Sequence, residues 1–181
     1  MKSRTKILSG ISLLSLIFIA GIETNAQVIK EKGWVRVVYS AEQDMTVVEA
    51  NNLTIRDSIH NNIIESLRIN VDFRVPGRGI TAPEMVRVIL DSQSRKRRIP
   101  DGRLLTIYSG GRKVELTATR DVWRSEYEGY VFESVGFLIP YATFRELIKE
   151  KNIKMTLDGE EFELPGWVKG QLKNVVGMVG S

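Results

Sequence analysis

The sequence predicts an α+β fold, in which a mostly antiparallel β-sheet meander is followed by two C-terminal amphipathic helices. Apolar and polar residues alternate strictly over residues 67–75, and shorter stretches repeat this pattern along the chain. A period of two residues gives a strand one buried and one solvated face. Turn residues separate the stretches, and helical spacing of apolar residues begins only after Pro140. Without long helices between them, successive strands are expected to pair antiparallel.

The individual strands are predicted from β-rich or alternating runs that end at turn residues. Turns are expected at Pro76-Gly77, at Pro100-Asp101-Gly102 and at Gly110-Gly111, because glycine and proline favour turn conformations. The predicted strands cover residues 34–39, 46–56, 67–75, 86–90, 105–107, 114–118 and 130–138.

Two amphipathic helices are predicted where the apolar spacing changes from two residues to three or four. The first covers residues 140–151, with a proline suited to its first turn. The second begins at Pro165. Between the two helices, residues 153–157 and 161–164 are predicted to form a hairpin across Asp158-Gly159.

The first 26 residues predict a secretory signal peptide. Three basic residues precede an uncharged apolar stretch at residues 7–22, and Ala26 ends a small-residue cleavage motif. The alternative is an uncleaved membrane anchor, but a spanning helix needs about 20 mainly apolar residues and this stretch is shorter. We expect cleavage after Ala26 and an exported, soluble protein, periplasmic or extracellular.

The remaining chain is predicted to hold a linker at residues 27–32 and a single α+β domain at residues 33–181. A domain of this size can bury enough surface to fold without disulfides. Removing three basic residues and one acidic residue with the signal peptide lowers the formal net charge from +4 to +2. The apparent basicity of the chain is therefore partly a property of its targeting segment.

The chain has no cysteine and a single histidine, His60. It therefore cannot form disulfides, thiolate nucleophiles or iron–sulfur clusters, and it has too few ligands for a usual zinc site. Asp57, Ser58 and His60 are the residue types of a hydrolase triad, but such close neighbours do not in general face one another. We expect no metal site, and we interpret His60 as a polar loop or edge residue.

Residues 77–82 match the dinucleotide-binding pattern G-x-G-x-x-A and follow a predicted strand. That motif needs a helix N-terminus to hold the pyrophosphate. Here Pro83 and an alternating stretch follow, which favour another strand. We therefore expect no nucleotide cofactor and interpret the glycines as loop residues.

Paired carboxylates are the remaining candidates for catalysis. Glu126 and Glu128 are expected to share one strand face, and Glu160, Glu161 and Glu163 cluster near the last hairpin. Two acids can hydrolyse a glycosidic bond, but acid pairs also occur commonly on solvated strand faces. No array of substrate-stacking aromatic residues is evident in the sequence, so no catalytic residue is assigned.

The three tryptophans, Trp34, Trp123 and Trp167, are interpreted as packing residues in the core or at its rim. The alternative is an exposed aromatic binding patch around Trp123 and Tyr127.

A basic run lies within residues 95–103, and its cations are Arg95, Lys96, Arg97, Arg98 and Arg103. We interpret the run as a solvated connection between two strands, because no aromatic residue follows it before Tyr108 and base-stacking platforms are missing locally. The alternative is a site for an anionic partner such as lipopolysaccharide, an acidic glycan or a phospholipid headgroup. Because export is predicted, we expect no nucleic-acid partner.

The order of several segments in the C-terminal half resembles that in a known group of domains. These segments are the strand at residues 88–92, the Asp101-Gly102 turn, residues 133–135 leading to Ile139-Pro140, the helix at residues 141–151 and the hairpin at residues 157–164. In this order they resemble a loose group of uncharacterised exported bacterial α+β domains. The resemblance implies an exported domain of unknown role and supplies no catalytic residues.

These observations together predict an exported, soluble, non-catalytic binding or structural accessory protein without a cofactor. Its partner is expected to be a protein or an anionic glycan or lipid. Two alternatives remain open at this point: a carboxylate-dependent hydrolase, and a peripheral membrane or anionic-ligand binder that acts through residues 95–103.

Overall fold

The computed structural model describes residues 26–60, 63–96, 99, 104–119, 122–157 and 159–180. The predicted signal segment up to residue 25 lies outside the described residues. The predicted turn at Pro100-Asp101-Gly102 and Asp158 of the last predicted turn also lie outside them.

The described residues form eleven strands and two helices. The strands are β1 (Ala26–Lys32), β2 (Val35–Ser40), β3 (Met45–His60), β4 (Ile63–Pro76), β5 (Met85–Ser94), β6 (Leu104–Ser109), β7 (Arg112–Thr117), β8 (Trp123–Tyr127), β9 (Tyr130–Pro140), β10 (Ile153–Leu157) and β11 (Glu160–Glu163). The helices are α1 (Tyr141–Leu147) and α2 (Gly166–Gly177). Neighbouring strands all pair antiparallel, as the alternating sequence predicts.

The strands are divided between two sheets. The first has seven strands in the order β1-β2-β3-β4-β5-β9-β8, and the second has four in the order β11-β10-β6-β7. The predicted meander therefore holds for β1 to β5. The chain then builds two strands of the second sheet, and it returns to the first sheet through β8 and β9, next to an isolated bridge between Ala118 and Phe137.

Only one face of the seven-stranded sheet forms the core. Along β5, Val86, Val88 and Leu90 are buried, whereas the side chains between them are half-buried. The buried face packs against the second sheet and both helices in one hydrophobic cluster. We call it the inner face. The opposite face, on which no strand or helix of the described residues packs in that cluster, is called the outer face.

The first helix is shorter than the predicted residues 140–151. It ends at Leu147, with Tyr141 and Phe144 buried against the inner face. Beyond Leu147 the backbone continues in hydrogen-bonded turns. The helix ends here because the chain must return to the second sheet, where β10 begins at Ile153.

The second helix begins immediately after Pro165, at the predicted position. It buries Val168, Leu172 and Val175, which belong to the predicted apolar stripe. Among the described residues, no helix is both long enough and apolar enough to cross a membrane.

The predicted linker at residues 27–32 is wrong, because these residues belong to strand β1. The segment shows no alternation, and nearly all of its side chains are exposed on both faces. It is held by the backbone ladder to β2, which runs from the pair Ala26 and Ser40 to the pair Lys32 and Val35. A strand stabilised mainly by main-chain pairing leaves no hydrophobic period in the sequence.

A buried ion pair connects β8, β9 and the basic run. Glu133 of β9 points to the inner face with a fully buried side chain, 2.9 Å from Nε of Arg124 on β8. The backbone N–H of Ile99 donates to the same carboxylate at 3.0 Å, and Arg124 also donates to the Ile99 carbonyl. Ile99 is itself buried. The middle of the basic run is thus anchored to the core.

We predict that replacing Glu133 with alanine lowers the free energy of unfolding by about 3–5 kcal/mol, because Arg124 and the Ile99 N–H lose a buried partner. Glu133→Gln keeps an acceptor for the N–H group and should cost less. Urea denaturation of the three proteins measures both changes. Equal stability of wild type and Glu133→Ala would show that this ion pair does not anchor the run.

Candidate functional site

Aromatic side chains converge on the outer face of the hairpin formed by β8 and β9. Residues directly opposite in an antiparallel pair point to the same face. The register pairs Trp123 with Ser134 and Tyr127 with Tyr130, and Phe132 follows Tyr130 on the same face. The Tyr130 and Phe132 ring centroids lie 6.5 Å apart. We call Trp123, Tyr127, Tyr130 and Phe132 the aromatic hairpin.

Two members of the aromatic hairpin are strongly exposed. Trp123 exposes 42 % and Tyr127 63 % of its surface, whereas Tyr130 and Phe132 are half-buried beneath them. The sequence indicated Trp123 and Tyr127 as a patch but missed Tyr130 and Phe132. The missing signal was the two-residue turn between the strands, because that turn alone sets the register that brings Tyr130 opposite Tyr127.

The turn consists of Glu128 and Gly129, both with positive φ, at 51° and 74°. Positive φ at both central residues is the type I′ geometry, whose twist suits a two-residue hairpin. A residue with a Cβ atom is strained at positive φ, and Glu128 is such a residue. Its carboxylate accepts a hydrogen bond from the Tyr127 hydroxyl, which raises the pKa of the Tyr127 phenol above its usual value. The exposed ring is therefore held at the turn.

Arg95, the first cation of the basic run, packs on the aromatic hairpin. Its guanidinium carbon lies 4.1 Å from the Tyr130 ring centroid, within cation–π distance. Its Nη1 donates to the Glu128 and Gly129 carbonyls at 3.3 and 3.2 Å. A Cβ at Gly129 would lie 2.6 Å from Nη1, so glycine allows this approach. A shallow depression of about 350 Å³ surrounds Arg95 at the turn.

This contact corrects the interpretation of the basic run as remote from any aromatic residue. The stacking partner of Arg95 is distant in sequence but adjacent in space, because β5 and β9 are neighbours and pair Ser94 with Val131. Arg95 and Lys96 are exposed. Arg97, Arg98 and Arg103 lie outside the described residues, so the predicted solvated connection stays a prediction for these three cations.

A polar cluster lies beside the aromatic hairpin on the same face. Asp91 of β5 is directly opposite Ser134 of β9 and Arg68 of β4. Its carboxylate accepts hydrogen bonds from the Asn70 amide and from Ser134. Burial outweighs these bonds and the Arg68 charge, and it raises the pKa of Asp91 above the ordinary value.

Asn70 ties this cluster to the neighbouring strand. Its Oδ1 accepts the backbone N–H of Asn52 at 2.6 Å. Asn52 has a φ of 58° and lies where the pairing of β3 with β4 is shifted by a bulge. The side chain of Asn70 therefore fixes the bulge through one end and Asp91 through the other, which makes the polar cluster a rigid surface.

The first candidate carboxylate pair is not assembled as predicted. Glu126 lies on β8 opposite Val131 and points toward the inner face. Glu128 lies in the turn beyond the end of the strand. The two acids therefore do not share a strand face, because the strand ends between them at Tyr127.

Two of the three carboxylates in the second group form surface ion pairs. Glu160 lies 3.2 Å from Arg56 of the long β3–β4 hairpin. Glu161 lies 3.2 Å from Lys154 on the paired strand β10. Glu163 is directly opposite Lys154 in the register. These contacts are those of cross-strand charge pairs rather than of two acids that face each other over a substrate.

The remaining sequence candidates are dispersed. Gly77 and Gly79 lie in the loop between β4 and β5, so the G-x-G-x-x-A pattern precedes a strand. His60 ends β3, and its side chain is outside the described part of the chain. Over the ranges that the structure describes, no three histidine, aspartate or glutamate side chains are grouped to hold a metal ion.

Trp34 and Trp167 are also exposed, at 59 % and 45 %. All three tryptophans are therefore partly exposed, so none of them lies in the core, and of the two predicted locations only the rim remains. Trp34 lies in the turn between β1 and β2, and Trp167 lies in the first turn of α2. Both are on other elements than the aromatic hairpin.

Comparisons of the chain with protein-family models, with curated proteins and with solved structures found no significant match. The site is therefore interpreted from its own geometry.

We predict that Glu128→Asn stabilises the protein by about 0.5–1 kcal/mol, because asparagine tolerates positive φ better than glutamate. Glu126→Asn, in the same hairpin but on the strand, is the matched control and should change stability by less than about 0.5 kcal/mol. Urea denaturation compares them. A loss of stability in Glu128→Asn would mean that the bond to Tyr127 outweighs the backbone strain.

The raised pKa of Asp91 predicts a pH dependence of stability. The folded state binds this proton more tightly than the unfolded state, so the free energy of unfolding falls as pH rises from the ordinary Asp value of 3.8 through the raised value. Asp91→Asn keeps the side-chain shape and should remove this fall. Urea denaturation of both proteins across the acidic range measures the difference, which must grow with pH in favour of the variant. A constant difference would contradict the prediction.

Proposed function

We propose that the protein is an exported, non-catalytic binding protein whose ligand contacts the aromatic hairpin on the outer face. The observation that carries this proposal is the exposure of Trp123 and Tyr127 on one face of a hairpin that holds them in place. Exposing large aromatic rings to water is unfavourable in free energy, and such rings are enriched where proteins bind partners.

The surface is preorganised, which reduces the cost of binding. Arg95 packs against Tyr130, which lies directly opposite Tyr127 in the hairpin. The buried Glu133–Arg124 pair fixes the same two strands from the inner face. A ligand therefore meets rings whose backbone is already ordered.

Export is supported by the sequence of the first 26 residues. The non-catalytic part of the proposal is supported by the arrangement of the acids. Glu160 and Glu161 form ion pairs with arginine and lysine, and Glu126 and Glu128 do not share a strand face. Binding without catalysis needs only the rings and the polar cluster beside them.

We predict that the double variant Trp123→Ala/Tyr127→Ala loses ligand binding, by about 30-fold or more for ring residues at the centre of a contact surface. Trp34→Ala/Trp167→Ala removes exposed rings from other elements and is the matched control. Both are compared with wild type on arrays of oligosaccharides, peptides and phospholipid vesicles, after circular dichroism has shown that they fold.

Retention of a probe by wild type and by the control, and its loss by the hairpin variant, would support the proposal. Equal retention by both variants would contradict it, and so would the absence of any retained probe from all three classes.

A further inference from the structure

We infer that the ligand of the aromatic hairpin is an acidic oligosaccharide, bound by ring stacking along β8 and by its oxyanion groups at Arg95 and Lys96. This inference rests on the proposed function and adds the chemical class of the ligand. It joins the aromatic patch and the basic run, which the sequence presented as separate candidates, into one site.

The spacing of the rings sets the length of the ligand. Trp123 and Tyr127 are the first and last residues of β8, so their Cα atoms lie about 13 Å apart at the usual rise of a strand. This distance exceeds one pyranose ring. A ligand that stacks on both rings must therefore be an extended chain of several sugar units, and the open surface accommodates one.

The residues around the rings match sugar hydroxyl groups. Ser125 lies between the two rings on the same face, opposite Phe132. Asp91, Asn70 and Ser134 follow on the adjoining strands, already oriented by hydrogen bonds to one another. Asn70 is buried, so the half-buried Ser125 and Ser134 are the residues that present hydroxyl groups to a hydroxyl-bearing chain. The apolar face of each sugar packs on a ring.

The guanidinium of Arg95 offers donors that suit an oxyanion of an acidic chain. The hydrogen bonds of Arg95 to described residues both use Nη1, which leaves Nε and Nη2 available to donate to a carboxylate or sulfate. Lys96 is exposed beside it. Among the described residues, Arg95 and Lys96 are the cations at this end of the hairpin, where Glu126 and Glu128 also lie.

The position of the rings argues against a peptide ligand. A peptide that adds to a sheet binds the edge of β8 through its backbone, and its recognition uses pockets at that edge. The aromatic hairpin instead presents its rings on the face of the sheet. An extended chain that lies across the face uses all four rings.

The test uses hexagalacturonate and its fully methyl-esterified form, in which each carboxylate is replaced by a neutral methyl ester on the same sugar chain. Binding to the purified protein is measured by calorimetry at low and high salt. Arg95→Gln/Lys96→Gln removes two charges from the proposed site. Arg112→Gln/Lys113→Gln removes the same charge from the second sheet and is the control. Trp123→Ala tests the ring contribution.

We expect the acidic oligomer to bind at least ~10-fold more tightly than its ester, with binding weakened by salt. Arg95→Gln/Lys96→Gln should abolish that preference and the control should keep it. Trp123→Ala should weaken both oligomers.

Three results would overturn the inference. Equal binding of ester and acid would assign a neutral glycan and leave the proposed function intact. Trp123-dependent binding of a peptide, of single-stranded DNA or of anionic vesicles, with no binding of either oligomer, would assign another ligand class to the same hairpin. Binding of the acid that Trp123→Ala leaves unchanged would also contradict the proposed function.

Discussion

The structure depends on one constraint, which is that the described strands and helices cover the seven-stranded sheet on a single face. Side chains alternate between the faces, so each strand contributes half of its residues to the core and half to a surface that the second layer does not reach. The register of each antiparallel pair therefore decides which residues are buried and which are available. On β9 the same alternation places Val135 and Phe137 in the core and Phe132 and Ser134 on the outer face.

In the hairpin of β8 and β9, one face is buried and the other is exposed, as this constraint requires. Its inner face holds the Glu133–Arg124 pair, which binds the backbone of Ile99, and its outer face holds the exposed rings. Two residues of the basic run contact the two faces of this hairpin, because Arg95 packs on Tyr130 and the Ile99 N–H donates to Glu133. The stability of this end of the sheet and the proposed recognition of a ligand thus depend on the same two strands.

Local patterns in the sequence predicted those parts of the fold that depend on local periodicity. Residues 67–75 lie in β4 as expected, because strict alternation has no helical interpretation. Strand β1 was missed because it is exposed on both faces and held by its backbone. The division into two sheets was also missed, because strands of either sheet show the same alternation of apolar and polar residues in the sequence.

The candidate site was predicted only in part, because it depends on register. Trp123 and Tyr127 could be indicated as exposed rings from their residue type and neighbours. The contact of Arg95 with Tyr130 joins residues that are far apart in sequence, and it requires both the pairing of β5 with β9 and the Glu128-Gly129 turn. Likewise, Asn70 became part of the site through the bulge at Asn52, which no local pattern indicates.

The most direct test of this account is a map of backbone amide chemical shifts of the isotope-labelled protein with and without hexagalacturonate. The account predicts that the largest changes occur at residues 91–96 and 123–134, together with the Trp123 indole N–H signal. Changes confined to β6, β7, β10 and β11, which form the second sheet, would show that the ligand binds elsewhere and would contradict the central claim.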